Sequence, residues 1–111
     1  LADKVYGLRI FEHRHASDAT CLPPSAPREV SARDLELPVL IVSQFTLYAE
    51  TSKGRRPTWD RAAPGSVAEP IIDAVAAAFT NLRAPVSTGR FGADMQVTFT
   101  NDGPLTISLE I

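Results

Sequence analysis

The sequence predicts an α+β fold, a mostly antiparallel sheet with one main helix. Three observations carry this. Residues 67–83 hold Val67, Ile71, Val75, Ala78, Phe79 and Leu82 at the spacing of a single helical stripe. Leu37-Pro38-Val39-Leu40-Ile41-Val42 is an unbroken aliphatic run, too short for a helix of its own. Residues 95–100 and 105–111 alternate apolar with polar on either side of Asn101-Asp102-Gly103-Pro104, a strong turn sequence.

Along the chain, Leu1 to Val5 reads as the last turn of a helix, with Gly7 as its stop. Leu8 to Phe11 follows as a short strand. Glu12 to Glu36 lacks periodicity and bulky apolar anchors and contains Pro23, Pro24 and Pro27, so residues 12–36 are expected to form a mobile loop. The 37–42 run fits a strand buried on both faces, which leaves the polar pair Ser43 and Gln44 at its end. Lys53 to Trp59 is loop by composition. Ser66 and Glu69 have capping-box spacing, Pro64 and Pro70 suit a helix start, and Pro85 ends the helix. A strand buried on both faces needs cover that these elements do not supply. Further N-terminal strands or a second subunit must provide it. Residue 1 is Leu and the chain enters mid-element, so either its start was processed or an N-terminal portion precedes it.

With 111 residues, 44% of them hydrophobic and 22% charged, residues 1–111 are expected to form a single domain, and a disordered chain is not expected. A net charge of −2 excludes a globally basic nucleic-acid binder but not a local basic patch. No apolar run reaches the ~18 residues of a membrane span. The single cysteine, Cys21, has no internal disulfide partner, which favours a reducing compartment and makes the cytosol the default location.

The chemistry is sparse. No G-x-S-x-G elbow surrounds Ser43 or Thr46, and the only histidines, His13 and His15, lie in the proline-rich segment, so a Ser-His-Asp triad is disfavoured. His13, His15 and Cys21 make an incomplete zinc set, and solvated loop histidines are the simpler reading. Lys53, Arg55, Arg56 and Arg61 crowd beside Trp59; that suits a phosphate backbone, or equally a solvated surface loop. Two polar stretches, Ser43 to Thr46 and Asn101 to Thr106, offer backbone and hydroxyl groups without a strong acid or base. A site built from them positions and polarises a substrate rather than attacking it.

Ser43-Gln44-Phe45-Thr46-Leu47 and Asn101-Asp102-Gly103-Pro104-Leu105-Thr106 resemble the two signature motifs of the D-aminoacyl-tRNA deacylases. Lys53-Gly54-Arg55-Arg56-Pro57 and the stretch from Gly89 to Val97 match between them, in the family's order. The resemblance is close over residues 37–111 and loose over 1–11. It implies a barrel-like subunit completed by homodimerisation, with the active site at the subunit interface. The implied activity is hydrolysis of the ester joining a D-amino acid, or glycine mischarged onto alanine tRNA, to the terminal adenosine, with no cofactor and no metal. In the family the Gly-Pro bond is cis and its turn enters the partner's site, where backbone carbonyls exclude an L side chain. Gly103 and Pro104 would form that filter and Thr106 would support it. Catalysis there leans on the substrate's own 2′-hydroxyl. Gln44, Phe45 and Thr46 would form the catalytic segment, with backbone N–H groups near Phe45 and Thr46 facing the oxyanion. Ser43 would orient the aminoacyl end, Phe91 and Met95 would line the adenine pocket, and Lys53, Arg55 and Arg56 would meet the tRNA backbone. Thr46 as covalent nucleophile is the rival mechanism. Relatives also carry a longer N-terminal portion, with a basic residue that braces the Gly-Pro turn. The alternative function is therefore a catalytically inactive tRNA- or nucleotide-binding relative.

Overall fold

A computed structural model describes residues 1–16, 22–23 and 25–111. The order is α1 (Ala2–Gly7), β1 (Arg9–Glu12), β2 (Glu29–Ser31), β3 (Val39–Ile41), α2 (Gly65–Asn81) and β4 (Val86–Thr88). Short 3-10 turns lie at His13–His15 and Phe45–Tyr48. The α+β class and the main helix match the sequence reading; the pairing does not. There are two two-stranded sheets, β1–β2 antiparallel and β3–β4 parallel. A parallel pair needs a crossover, and α2 is that crossover.

The core sits where α1 meets α2. Tyr6 and Phe79 pack edge to face with centroids 6.1 Å apart, joined by Ala2, Ala32 and Ala84, and Val75, Leu82, Val39 and Val86 close around them. The Tyr6 hydroxyl donates to the Leu37 carbonyl at 3.1 Å, so its one polar group is satisfied, and burial pushes its pKa up.

α2 begins two residues before the expected start and needs no capping box: Pro64 occupies the N-cap and no side chain caps the helix. Ser66 thus lies inside the first turn, and Pro70 lies within the helix rather than at its start. The C-terminus closes with Arg83 at φ +64, Arg83 N–H donating to Thr80 O and Ala84 N–H to Phe79 O. This paired arrangement satisfies two of the last carbonyls. The apolar stripe is covered only in its second half, since Val67 and Ile71 are exposed.

Three further expectations are corrected. Residues 12–36 are not a featureless loop: the 3-10 turn and β2 lie there, and Val30, Ala32 and Leu35 are buried. A three-residue strand is too short to display alternation, and Val30 and Leu35 suffice as anchors. Cys21 and Pro24 lie outside the described residues. β3 is not covered on both faces, because Leu40 is 60% exposed while Val39 and Ile41 pack against the core. Finally, residues 95–100 and 105–111 form no ladder, and Phe99, Ile107 and Ile111 are exposed. Alternation marks which side chains share a face; a ladder also needs a neighbouring strand, and none within the described residues lies alongside.

After β2 the chain turns on Ser31 and Asp34. The Asp34 carboxylate accepts from the Ser31 N–H and hydroxyl, both at 2.8 Å, and Asp34 N–H returns a bond to Ser31 Oγ at 3.1 Å. The Ser31 N–H and then its hydroxyl, helped by Arg9 and Arg33, hold the Asp34 pKa below the usual 3.8. Its contribution to stability is therefore complete above pH 3.8 and fades as pH falls through the lower folded value. Asp34→Ala is expected to cost ~1–2 kcal/mol at neutral pH, because Ser31 N–H is buried and loses its acceptor. Denaturant titration at pH 7 and pH 2.5 checks this: the deficit should shrink at the lower pH.

Candidate active site

β3 and β4 run parallel in register, Val39 beside Val86 and Ile41 beside Thr88, and Gly89 N–H extends the pairing to Ile41 O at 2.8 Å. The segments that leave their C-terminal ends, Ser43–Tyr48 and Gly89–Met95, emerge side by side. Crevices beyond the carboxyl ends of parallel strands are where α/β sheets accept ligands. Here the crevice is a cleft of about 480 Å³ walled by Ser43, Gln44, Phe45 and Tyr48 on one side, Phe91 and Gly92 on another, and the start of α2 at Gly65, Ala68 and Ile72. A smaller depression of about 190 Å³ continues past Gly92 to Met95.

The walls are locally braced. Phe91 lies against Gly65, where a Cβ would stand 3.5 Å from its ring. The Met95 sulfur accepts from Arg90 N–H at 3.3 Å and fills the space beside Gly89. In the 3-10 turn at Phe45–Tyr48, the first amides have no partner within the turn, and among the described residues the N–H groups of Phe45 and Thr46 donate to nothing. The Gln44 side-chain amide donates to the Thr46 hydroxyl. Trp59 Nε1 donates to Thr46 O at 3.2 Å, and its ring meets Phe45 edge to face at 5.8 Å.

Trp59 thereby pins the basic loop to the cleft. The strand-like contact between Glu50 and Thr58 closes that loop at its base, and Lys53, Arg55 and Arg56 project into solvent without ion pairs among the described residues. Arg61 stands at the cleft rim. Within the cleft lining, Arg61 and Tyr48 are the only ionisable side chains, and the adjoining depression adds the exposed Asp94.

Of the residues sequence reasoning named, Ser43, Gln44, Phe45 and Phe91 line the cleft and Met95 lines the adjoining depression, while Thr46 lies outside both linings, bonded to the Gln44 side chain. Gly103, Pro104 and Thr106 lie elsewhere. Their turn is exposed and lines none of these depressions. The Gly103–Pro104 bond is cis, with Gly103 at φ +129. Asn101 staples the turn, its Oδ1 accepting from Leu105 N–H at 2.9 Å and its Nδ2 donating to Thr106 Oγ1 at 3.1 Å. The α2 wall and the Trp59 anchor were missed. The small-residue run Ala62, Ala63, Gly65 and Ala68 was the available signal for the first. His13 bonds Pro27 O at 2.7 Å, and among the described residues no group of three His, Cys, Asp or Glu is arranged to hold a metal.

An apolar cleft beyond the ends of parallel strands, flanked by an anchored basic loop, suits a ligand with an apolar part and an anionic extension. The chain belongs to the D-Tyr-tRNA(Tyr) deacylase family, whose sequence model matches residues 1–110. It is 54% identical over 110 residues to a D-aminoacyl-tRNA deacylase of Nocardia farcinica, covering 99% of this chain and 66% of that protein. A D-aminoacyl-tRNA deacylase of Kineococcus radiotolerans is 63% identical over 82 residues, 74% of this chain and 58% of the relative. The chain thus spans two thirds or less of the length of these two relatives. Among solved structures, the c-Myc DNA Unwinding Element Binding Protein superposes with a TM-score of 0.74 at 32% identity, covering 98% of this chain and 68% of that one. Among the described residues, no helix is long and apolar enough to cross a membrane.

Proposed function

We propose that this chain hydrolyses the ester linking a D-amino acid to the terminal adenosine of tRNA, releasing free tRNA and the D-amino acid. The observation that carries this reading is a cleft with apolar walls and no histidine or carboxylate in its lining, beside a turn whose Phe45 and Thr46 amides are unpartnered among the described residues. Family membership and the relatives' names support the same substrate. Water adds to the ester carbonyl, and the resulting oxyanion takes hydrogen bonds from the amides of Phe45 and Thr46. One such donor is commonly worth ~3 kcal/mol. Collapse breaks the bond to the ribose 3′-oxygen, which leaves with a proton relayed through the adjacent 2′-hydroxyl. Ser43 and Gln44 orient the aminoacyl end, Phe91 and Met95 hold the adenine, and Lys53, Arg55 and Arg56 meet phosphates. The Gly103–Pro104 turn, supported by Thr106, excludes L side chains. Glycine on alanine tRNA passes the same filter because it has no side chain.

The site works in a homodimer, each turn serving the partner's cleft. Supporting this, the chain exposes 9139 Å², against about 6,000 Å² for a compact domain of its mass. Its radius of gyration of 16.8 Å likewise exceeds the ~13 Å of a compact chain of this length. Among the exposed large apolar side chains are Val97, Phe99, Leu105, Ile107, Leu109 and Ile111 of the C-terminal segment. Incubation with matched D- and L-tyrosyl-tRNA tests the function: selective loss of the D ester is expected, whereas binding without turnover marks an inactive relative.

Thr46 is not the nucleophile. Its hydroxyl accepts a hydrogen bond from Gln44, and no neighbouring base takes its proton. Thr46→Ala is expected to keep kcat within about 10²-fold of the parent in single-turnover assays; a loss beyond ~10⁴-fold would reassign Thr46 as the attacking group.

A further inference from the structure

The 3-10 turn that follows β1 carries side chains the mechanism above does not use. Glu12 and His15 close it reciprocally, the Glu12 carboxylate accepting from His15 N–H and Glu12 N–H donating to His15 Nδ1 at 2.9 Å. With Nδ1 engaged as acceptor, the ring proton resides on Nε2. Nε2 faces the Asp102 carboxylate at 3.4 Å, and Arg14 Nη1 reaches the same oxygen at 3.2 Å. The Phe11 ring packs edge to face on His15 at 5.7 Å and joins the core, so this turn is tied to the body of the fold.

Asp102 is the second residue of the Asn101–Thr106 turn. That turn lies in a segment without a ladder, and its remaining side-chain hydrogen bonds are internal. Among the described residues, the bonds of Asp102 to Arg14 and His15 are the polar contacts that fasten it to the rest of its own chain. A stereochemical filter acts by where its carbonyls stand, and a displacement near 1 Å can cost ~10²-fold. We propose that Asp102, clasped by Arg14 and His15, is a positioning residue that fixes the Gly103–Pro104 turn and so sets the discrimination between D and L esters. The role in discrimination rests on the deacylase reading; the clasp itself does not.

The test uses Asp102→Asn, Arg14→Ala, Arg14→Lys and the charge-exchanged pair Arg14→Asp with Asp102→Arg. Two quantities are read: the ratio of kcat/KM for D- over L-tyrosyl-tRNA, and the hydrogen-exchange rate of the Leu105 amide by NMR. Asp102→Asn and Arg14→Ala are expected to lower the ratio about three- to tenfold, through faster L-ester hydrolysis, with Leu105 exchange rising by a similar factor. Arg14→Lys and the exchanged pair should recover most of both. An equal loss on both esters, or unchanged Leu105 exchange in the single variants, overturns the proposal. If the parent protein cleaves neither ester, the deacylase reading fails on its own, and the exchange data still decide whether the clasp holds the turn.

Discussion

Gly103→Ala is expected to reduce hydrolysis of D-tyrosyl-tRNA by about 10²-fold or more while the chain stays folded. Gly103 has φ +129, a region essentially closed to residues with a side chain, at a cost of ~1–3 kcal/mol. A Cβ there would stand 3.1 Å from the Leu105 nitrogen, the same N–H that Asn101 Oδ1 holds. The alanine variant must therefore rotate the turn, breaking the Asn101 staple and carrying the filter's carbonyls away from their positions. The turn is exposed and outside the core, so the melting temperature should change little. Steady-state rates on both esters, with circular dichroism as the folding control, decide the matter. A D-ester rate within twofold of the parent removes the turn from the site.

A tRNA ending in 2′-deoxyadenosine is expected to be hydrolysed about 10³-fold more slowly, in the range of lost acid–base assistance. The reasoning is elimination within the cleft. Its lining holds Arg61 and Tyr48 as ionisable side chains, with neither a histidine nor a carboxylate to relay a proton, and Asp94 of the adjoining depression is exposed to solvent. The ester's neighbouring 2′-hydroxyl is the group nearest the leaving 3′-oxygen. Binding of the deoxy substrate should be nearly unchanged, so the loss falls on kcat and not on KM. An unchanged rate would exclude participation of the substrate hydroxyl and return attention to Thr46.

The main helix was legible because six apolar side chains, from Val67 to Leu82, repeat over about four turns ahead of Pro85. Its end cap at Arg83 was not, since a non-glycine residue at positive φ leaves no compositional mark. The parallel pairing of β3 with β4 was equally hidden. Val39 meets Val86 across α2, and a local pattern does not name a distant partner. Residues 95–111 show the converse: their apolar and polar residues alternate in the sequence, yet among the described residues no strand pairs with them. At the site, Ser43 to Thr46, Phe91 and Met95 were recognisable as motifs, and the fold gathers them. The clasp on Asp102 joins residues 88 apart through ordinary surface charges, and nothing in either local sequence announces it.

The crossover topology also governs how the cleft comes into being. One wall leaves the end of β3 and the other leaves the end of β4, and those strands meet only once α2 has bridged them. Both walls therefore stand side by side only where β3 and β4 are paired, a non-local contact that costs loop-closure entropy. Loss of the β3–β4 pairing would separate the two walls and dissolve the cleft as a unit.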